Sequence, residues 1–236
     1  VAHLILKNMM DSFRVANSRR FRRSKKSRDM DFRLIMKRSL KVEGFPLDLF
    51  YRRRKRRLKK LVILADVSGS MDRYVRFAMP FLLGLRGIGS QSEVYVFSTS
   101  LSRITFFVRK LPVEKALSRI AGEVPDWSGG TRIGESLQQF HKHYGERHLN
   151  KRTVVVILSD GWDLGARGLL QKEMQHLSDK VHSVIWLNPL AGEPEYRPLC
   201  RGMQAVLPYV DHLLAADSLQ NLRRVGRVLS KVMTGT

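Results

Sequence analysis

The stretch Leu61–Met71, LVILADVSGSM, decides how the chain is read. An apolar run ends in Asp66, after which Ser68 and Ser70 alternate with Val67 and Gly69. Such a run, closed by a Gly/Ser turn, reads as a buried strand, and Arg73 to Leu85 after it reads as a helix. The polar cluster therefore falls where a central strand hands over to a helix, the usual ligand crevice of an open α/β sheet. One carboxylate and two hydroxyls at alternate positions can face one pocket, and oxygen-only ligands suit a hard cation such as Mg²⁺. The same residues also suit a helix cap and a turn closure. The stretch by itself does not choose between the two.

Working outward, EVYVFS (93–98) has strand-like content, and RITFFV (103–108) reads as a further strand at a sheet edge. Pro112 to Gly122 reads as a short helix and PDWSGG (125–130) as a loop. Thr131 opens a helix with Ile133, Leu137 and Phe140 on one side. TVVVIL (153–158) is a second wholly apolar strand, and it too ends in a polar turn, Ser159-Asp160-Gly161. A helix over Leu169–Leu177, a strand over Val181–Leu187, a short strand over Tyr209–Leu214 and a helix over Leu219–Val232 complete the series. Apolar strands alternating with helices predict a largely parallel sheet covered on both faces.

The charge is uneven. Of the 43 Lys/Arg in the chain, 21 fall in residues 1–60, against only 5 Asp/Glu there. Two basic clusters carry them, Arg19–Arg28 and Arg52–Lys60. The first reads as a solvated or disordered arm and the second as a basic lead-in to the first strand, with a helix-like spacing from Met30 to Val42 between them. RRRKRR (52–57) could meet nucleic acid, an acidic membrane surface or an acidic protein, but it lacks interleaved aromatics. The expected division is a basic, partly helical extension over 1–60 and one α/β domain over 61–236. Cys200 is the only cysteine, so no intrachain disulfide forms, which fits a cytoplasmic protein. No apolar stretch is long enough for a transmembrane helix. Lys7 interrupts the apolar residues of 1–10, so no signal peptide is read there.

Three Gly-bearing polar loops stand at strand ends or helix starts: 66–70, 129–131 and 159–161. The sequence resembles von Willebrand factor A (VWA) domains, whose metal-ion-dependent adhesion site runs Asp-x-Ser-x-Ser, then a Thr, then an Asp. Those positions fall on Asp66, Ser68, Ser70, Thr131 and Asp160. A closer resemblance is to CoxE-like proteins, carried by DVSGSM (66–71), VPDWSGGTRIGESL (124–137), VVVILSDGWDLG (154–165), VIWLNPL (184–190) and RGMQAVLPYVD (201–211). The resemblance implies a doubly wound, mostly parallel sheet of strand order 3-2-1-4-5-6 with one antiparallel edge strand. It implies Mg²⁺, with Mn²⁺ as a substitute, held by the hydroxyls of Ser68, Ser70 and Thr131, while Asp66 and Asp160 act directly or through water. Few direct ligands leave a replaceable water that a partner's carboxylate can displace. It further implies a non-enzymatic assembly factor working with a MoxR-type AAA+ ATPase on a client metalloenzyme, such as the carbon monoxide dehydrogenase type of molybdenum hydroxylase.

Other residues invite attention. Asp126 and Asp163 read as exposed loop acids. Trp127 and Trp162 flank the crevice and suit either its rim or packing. His141, His143 and His148 lack an evident fourth ligand for zinc and read as solvated. Ser68 has no base at a recognisable position, and no phosphate-binding Gly-x-x-x-x-Gly-Lys-Ser/Thr loop is present. Two rival readings remain at this level: a nucleic-acid-binding adaptor using residues 19–28 and 52–60, and a metal-dependent hydrolase using the same pocket.

Overall fold

The computed structural model describes residues 17–23, 29–40, 49–56, 59–85, 92–111, 115, 116, 119, 122 and 130–234. The chain divides into two compact units, one over Val15–Leu58 and the other over Lys59–Thr236.

In the first unit, strand β1 (Asn17–Arg23) pairs antiparallel with β2 (Arg52–Arg56), Phe21 opposite Arg54 and Arg23 opposite Arg52. Helix α1 (Phe32–Ser39) lies between them in sequence. Asp31 caps it by accepting from Leu34 N, and Lys37 and Arg38 occupy its last turn, where cations suit the helix dipole. The expectation of a solvated or disordered arm is corrected in one respect: residues 19–23 lie in an ordered strand, β1, paired with β2. Backbone pairing formed strands here that apolar patterning does not announce. Residues 24–28 and 41–48 lie outside the described residues.

The second unit is built on one sheet. Its strands are β3 (Lys60–Asp66), β4 (Glu93–Phe97), β5 (Leu101–Arg103), β6 (Thr153–Leu158), β7 (Ser183–Asn188) and β8 (His212–Ala215). They stand in the order β5-β4-β3-β6-β7-β8. All neighbours are parallel except β4 and β5. This is the expected 3-2-1-4-5-6 order with one antiparallel edge strand. The helices are α2 (Asp72–Gly84), α3 (Thr105–Lys110), α4 (Ile133–Phe140), α5 (Leu169–Lys180), α6 (Arg201–Val206) and α7 (Leu219–Thr234).

Residues 61–66 of β3 are buried throughout, and successive side chains serve opposite cores. Leu61, Ile63 and Ala65 join α2 (Val75, Met79, Leu82) and α7 (Leu222, Val225, Leu229). Val62 and Leu64 join Tyr95, Trp186, α4 (Ile133, Leu137, Phe140) and α5 (Leu170, Met174, Leu177). Each such aliphatic burial is worth about 1.5–3 kcal/mol. Gly134 sets how closely α4 and α5 approach, since a Cβ there would stand 2.9 Å from Leu170 N.

The strand expected over 103–108 is corrected. Only Leu101–Arg103 is strand, and Thr105–Lys110 is helix. Thr105 Oγ1 accepts from Val94 N at 2.9 Å and donates to Glu93 Oε2 at 2.8 Å, turning the chain over the end of β4. Ile104, Thr105 and Val108 are then buried while Phe106 is exposed, a helical spacing that tertiary contact imposed on a strand-like composition. The helix expected over 112–122 and the loop over 125–129, with Asp126 and Trp127, lie largely or wholly outside the described residues. Among the described residues no helix is long and apolar enough to cross a membrane.

Candidate metal centre at the sheet rim

β3 sits between β4 and β6, so the strand order reverses at its side, and the polar turns after β3 and β6 emerge at one rim. Register brings their residues level: Ala65 is opposite Leu158, which sets Asp66 beside Ser159. Asp66 is fully buried. Its Oδ1 accepts from Ser68 N at 2.9 Å and its Oδ2 from the Ser159 hydroxyl at 2.7 Å. The Ser68 and Ser70 hydroxyls are 3.4 Å apart, Ser68 buried and Ser70 exposed. Burial pushes the Asp66 carboxyl up to about 6, and the nearby Asp160 charge adds to it, against the hydrogen bonds from Ser68 and Ser159.

Asp160 is half-buried and turns its Oδ1 to Trp162 N at 2.9 Å. Its carbonyl accepts from Asn188 Nδ2 at 3.1 Å, and the carbonyl of Ser159 accepts from Trp186 Nε1 at 2.9 Å. Gly161 has φ +81°, and a Cβ there would meet Met203 Sδ at 2.4 Å, so the turn needs glycine on both counts.

Thr131 is buried and is held from both sides. Arg132 N donates to Ser98 O at 2.9 Å, after β4, and Leu164 N donates to Thr131 O at 3.0 Å, after β6. Asp66, Ser68 and Ser70 are thus joined by direct hydrogen bonds. Asp160 reaches them through its charge, and Thr131 is carried to the same rim by its flanking backbone.

Asp163, expected as an exposed loop acid, is instead half-buried and caps α4: its Oδ1 accepts from Ile133 N at 2.9 Å and from Gly165 N at 3.2 Å. Glu135 Oε1 accepts from Ala166 N at 3.1 Å, bracing the same loop. Trp162 is exposed at the crevice. Ser159, Trp186 and Asn188 were not legible as site residues. The signal for Ser159 is the register of β3 against β6, which sequence alone does not supply. The three histidines do not share a solvated surface: His148 is buried and His141 packs against Glu173.

The donor set is all oxygen, two carboxylates and three hydroxyls, and it fits a hard divalent cation. Asp66 spends one lone pair of each oxygen within the protein, so it suits contact through water better than direct ligation.

A family model described as VWA domain containing CoxE-like protein matches residues 6–222. Among solved structures, a von Willebrand factor type A protein from Catenulispora acidiphila is 16% identical, with TM-score 0.54, over 78% of this chain and 45% of that one. Proximal thread matrix protein 1 from the mussel byssus, with a zinc-occupied MIDAS motif, is 18% identical, with TM-score 0.51, over 74% of this chain and 47% of that one. The chain spans about half the length of these structures. No curated protein matches it.

Proposed function

Because the chain belongs to the family of VWA-domain-containing CoxE-like proteins, we propose that it is a non-enzymatic, metal-dependent docking module. The observation that carries this reading is the Asp66–Ser68–Ser70 cluster at the strand-order reversal, tied by the Ser159 hydroxyl to the turn that bears Asp160. Ser68, Ser70 and Thr131 would hold Mg²⁺ or Mn²⁺ through their hydroxyls, with Asp66 and Asp160 acting directly or through water. The ion supplies a positively biased position with an exchangeable water, which a carboxylate from a partner can take. The exposed hydroxyl of Ser70 and the indole of Trp162 supply the surface around that position.

On this reading the partner is a MoxR-type AAA+ ATPase and the client a metalloenzyme under maturation, of the carbon monoxide dehydrogenase type, in the cytoplasm. The test is an affinity capture on the full chain with Mg²⁺ and with chelator. Mg²⁺ should strengthen capture of the ATPase at least tenfold, and Ser68→Ala with Asp160→Ala should abolish that gain while circular dichroism stays unchanged. Capture indifferent to chelator would overturn the reading.

A second reading has one observation behind it. In the β1–β2 ribbon, Arg22 faces Arg53 and Arg23 faces Arg52. The ribbon is rich in arginine on both strands, and that charge suits a polyanion such as nucleic acid. A steeply salt-dependent nucleic-acid affinity, lost when Arg52, Arg53 and Arg54 are changed to Ser, would support it.

A further inference from the structure

On the face of the sheet that α4 and α5 cover, three side chains converge far from the turns just described in sequence. His141 opens a π-helical turn, His141–Gly145, that continues α4. Glu173 and His176 lie three residues apart on α5, one above the other on the same side of that helix. His141 Nδ1 is 2.5 Å from Glu173 Oε2, and those two side chains are only 6% and 7% exposed. The His141 and His176 rings stand tilted by 49° to one another with centroids 4.4 Å apart. One nitrogen or oxygen from each of the three lies within 4.8 Å of the others. His141 Nε2 is buried and has no hydrogen-bond partner, a cost that a lone His–Glu pair does not relieve. Burial, helped by the charges of His176 and Lys180 and opposed by Glu173, pushes the His141 imidazole below its ordinary range. π-turns recur where a helix places a functional side chain, because the extra residue re-aims the face that follows.

We propose that His141, Glu173 and His176 form a second divalent-cation site, taking a transition metal of the zinc class with water completing the shell. Two imidazole nitrogens and one carboxylate are the donor set of zinc, and Mg²⁺ disfavours the nitrogens. Ligand atoms roughly 2.0–2.2 Å from zinc stand about 3.5 Å from one another, so a turn of the exposed His176 ring closes the set. His141 keeps its one ring proton on Nδ1 toward Glu173 and offers the free lone pair of Nε2 to the ion, so no proton has to leave. It staples the continuation of α4 to α5. Those helices follow the loops carrying Thr131 and Asp160, so zinc here stiffens the mounting of the rim without touching it.

The test uses the full chain, free of any histidine tag, with Ser68→Ala and Asp160→Ala present so that the rim contributes nothing. Zn²⁺ is titrated against a chromophoric chelator, and Co²⁺ is followed by its visible bands. One equivalent should bind with micromolar or tighter affinity, raise the melting temperature, and resist millimolar Mg²⁺. Adding His176→Ala, a change at an exposed position, should weaken binding at least tenfold and remove the Co²⁺ bands, with the metal-free melting temperature unmoved. Glu173→Gln should do the same to the metal. Zinc held equally well by the His176→Ala protein would assign it to other histidines, and no zinc-dependent rise in melting temperature would be as decisive; either result overturns the proposal.

Discussion

The two faces of the sheet are built differently. The face under α2 and α7 is closed by aliphatic side chains such as Ile63, Val75, Met79, Leu82 and Leu229. The face under α4 and α5 also buries Tyr95, Phe140, Trp186 and, among them, the polar groups of Glu173, His148 and Ser136. Its helices are cross-braced to their loops by carboxylates: Asp163 to Ile133 N, and Glu135 to Ala166 N. The difference teaches a division of labour. One side only needs to exclude water, whereas the other must also fix two loops in direction, and non-directional burial cannot do that. Directional hydrogen bonds can, at the cost of desolvating the groups that make them.

The contrast can be broken most directly on the aliphatic side. Leu82→Ala should lower stability by about 2–5 kcal/mol in urea denaturation, because it opens a cavity in a fully buried site. Mg²⁺ affinity of the folded fraction should not change; a parallel loss would show that this face also positions the rim. A smaller effect is expected from Asp66→Asn. The folded carboxyl titrates near 6 against 3.8 when unperturbed. Its contribution to stability is therefore fully present below the unfolded value and lost as pH rises through about 6, so the ionised group destabilises the metal-free fold at pH 8. The variant should be more stable than the parent there by about 1–3 kcal/mol, hold little advantage near pH 4, and lose the stabilisation that Mg²⁺ gives the parent. Melting curves at both pH values, with chelator and with Mg²⁺, check all three. The smallest effect sharpens the picture of the polar face. Ser136 is 1% exposed with no partner for its hydroxyl, so Ser136→Ala should raise stability by up to about 1 kcal/mol, read by urea midpoint.

Legibility in the sequence followed the same physics. β3 and β6 were plain because burial on both faces leaves a wholly apolar run, and the turns after them placed Asp66, Ser68, Ser70 and Asp160. Thr131 stood out as the polar end of the Gly129-Gly130 loop at a helix start, and the resemblance gave it a ligand's role. What stayed hidden depends on contacts between distant segments. Ser159 matters because β3 and β6 end level. The strand-like run at 105–108 is helical because Thr105 ties to Glu93 and Val94. The arginine-rich β1 and β2 carry no apolar pattern, so their pairing is not legible, and Glu173 meets His141 only once α5 is laid beside α4.

The sheet's outermost strands have a consequence for how the molecule keeps company. β5 is three residues long and β8 four, against five to seven for the strands inside. Each border thus offers few unpaired amides, and Arg103 at the end of β5 sets a charge on that margin, engaged by Glu93. A stray strand finds little to zip onto, so the sheet resists growing into a neighbour's. Association is left to whatever the loops above it recognise.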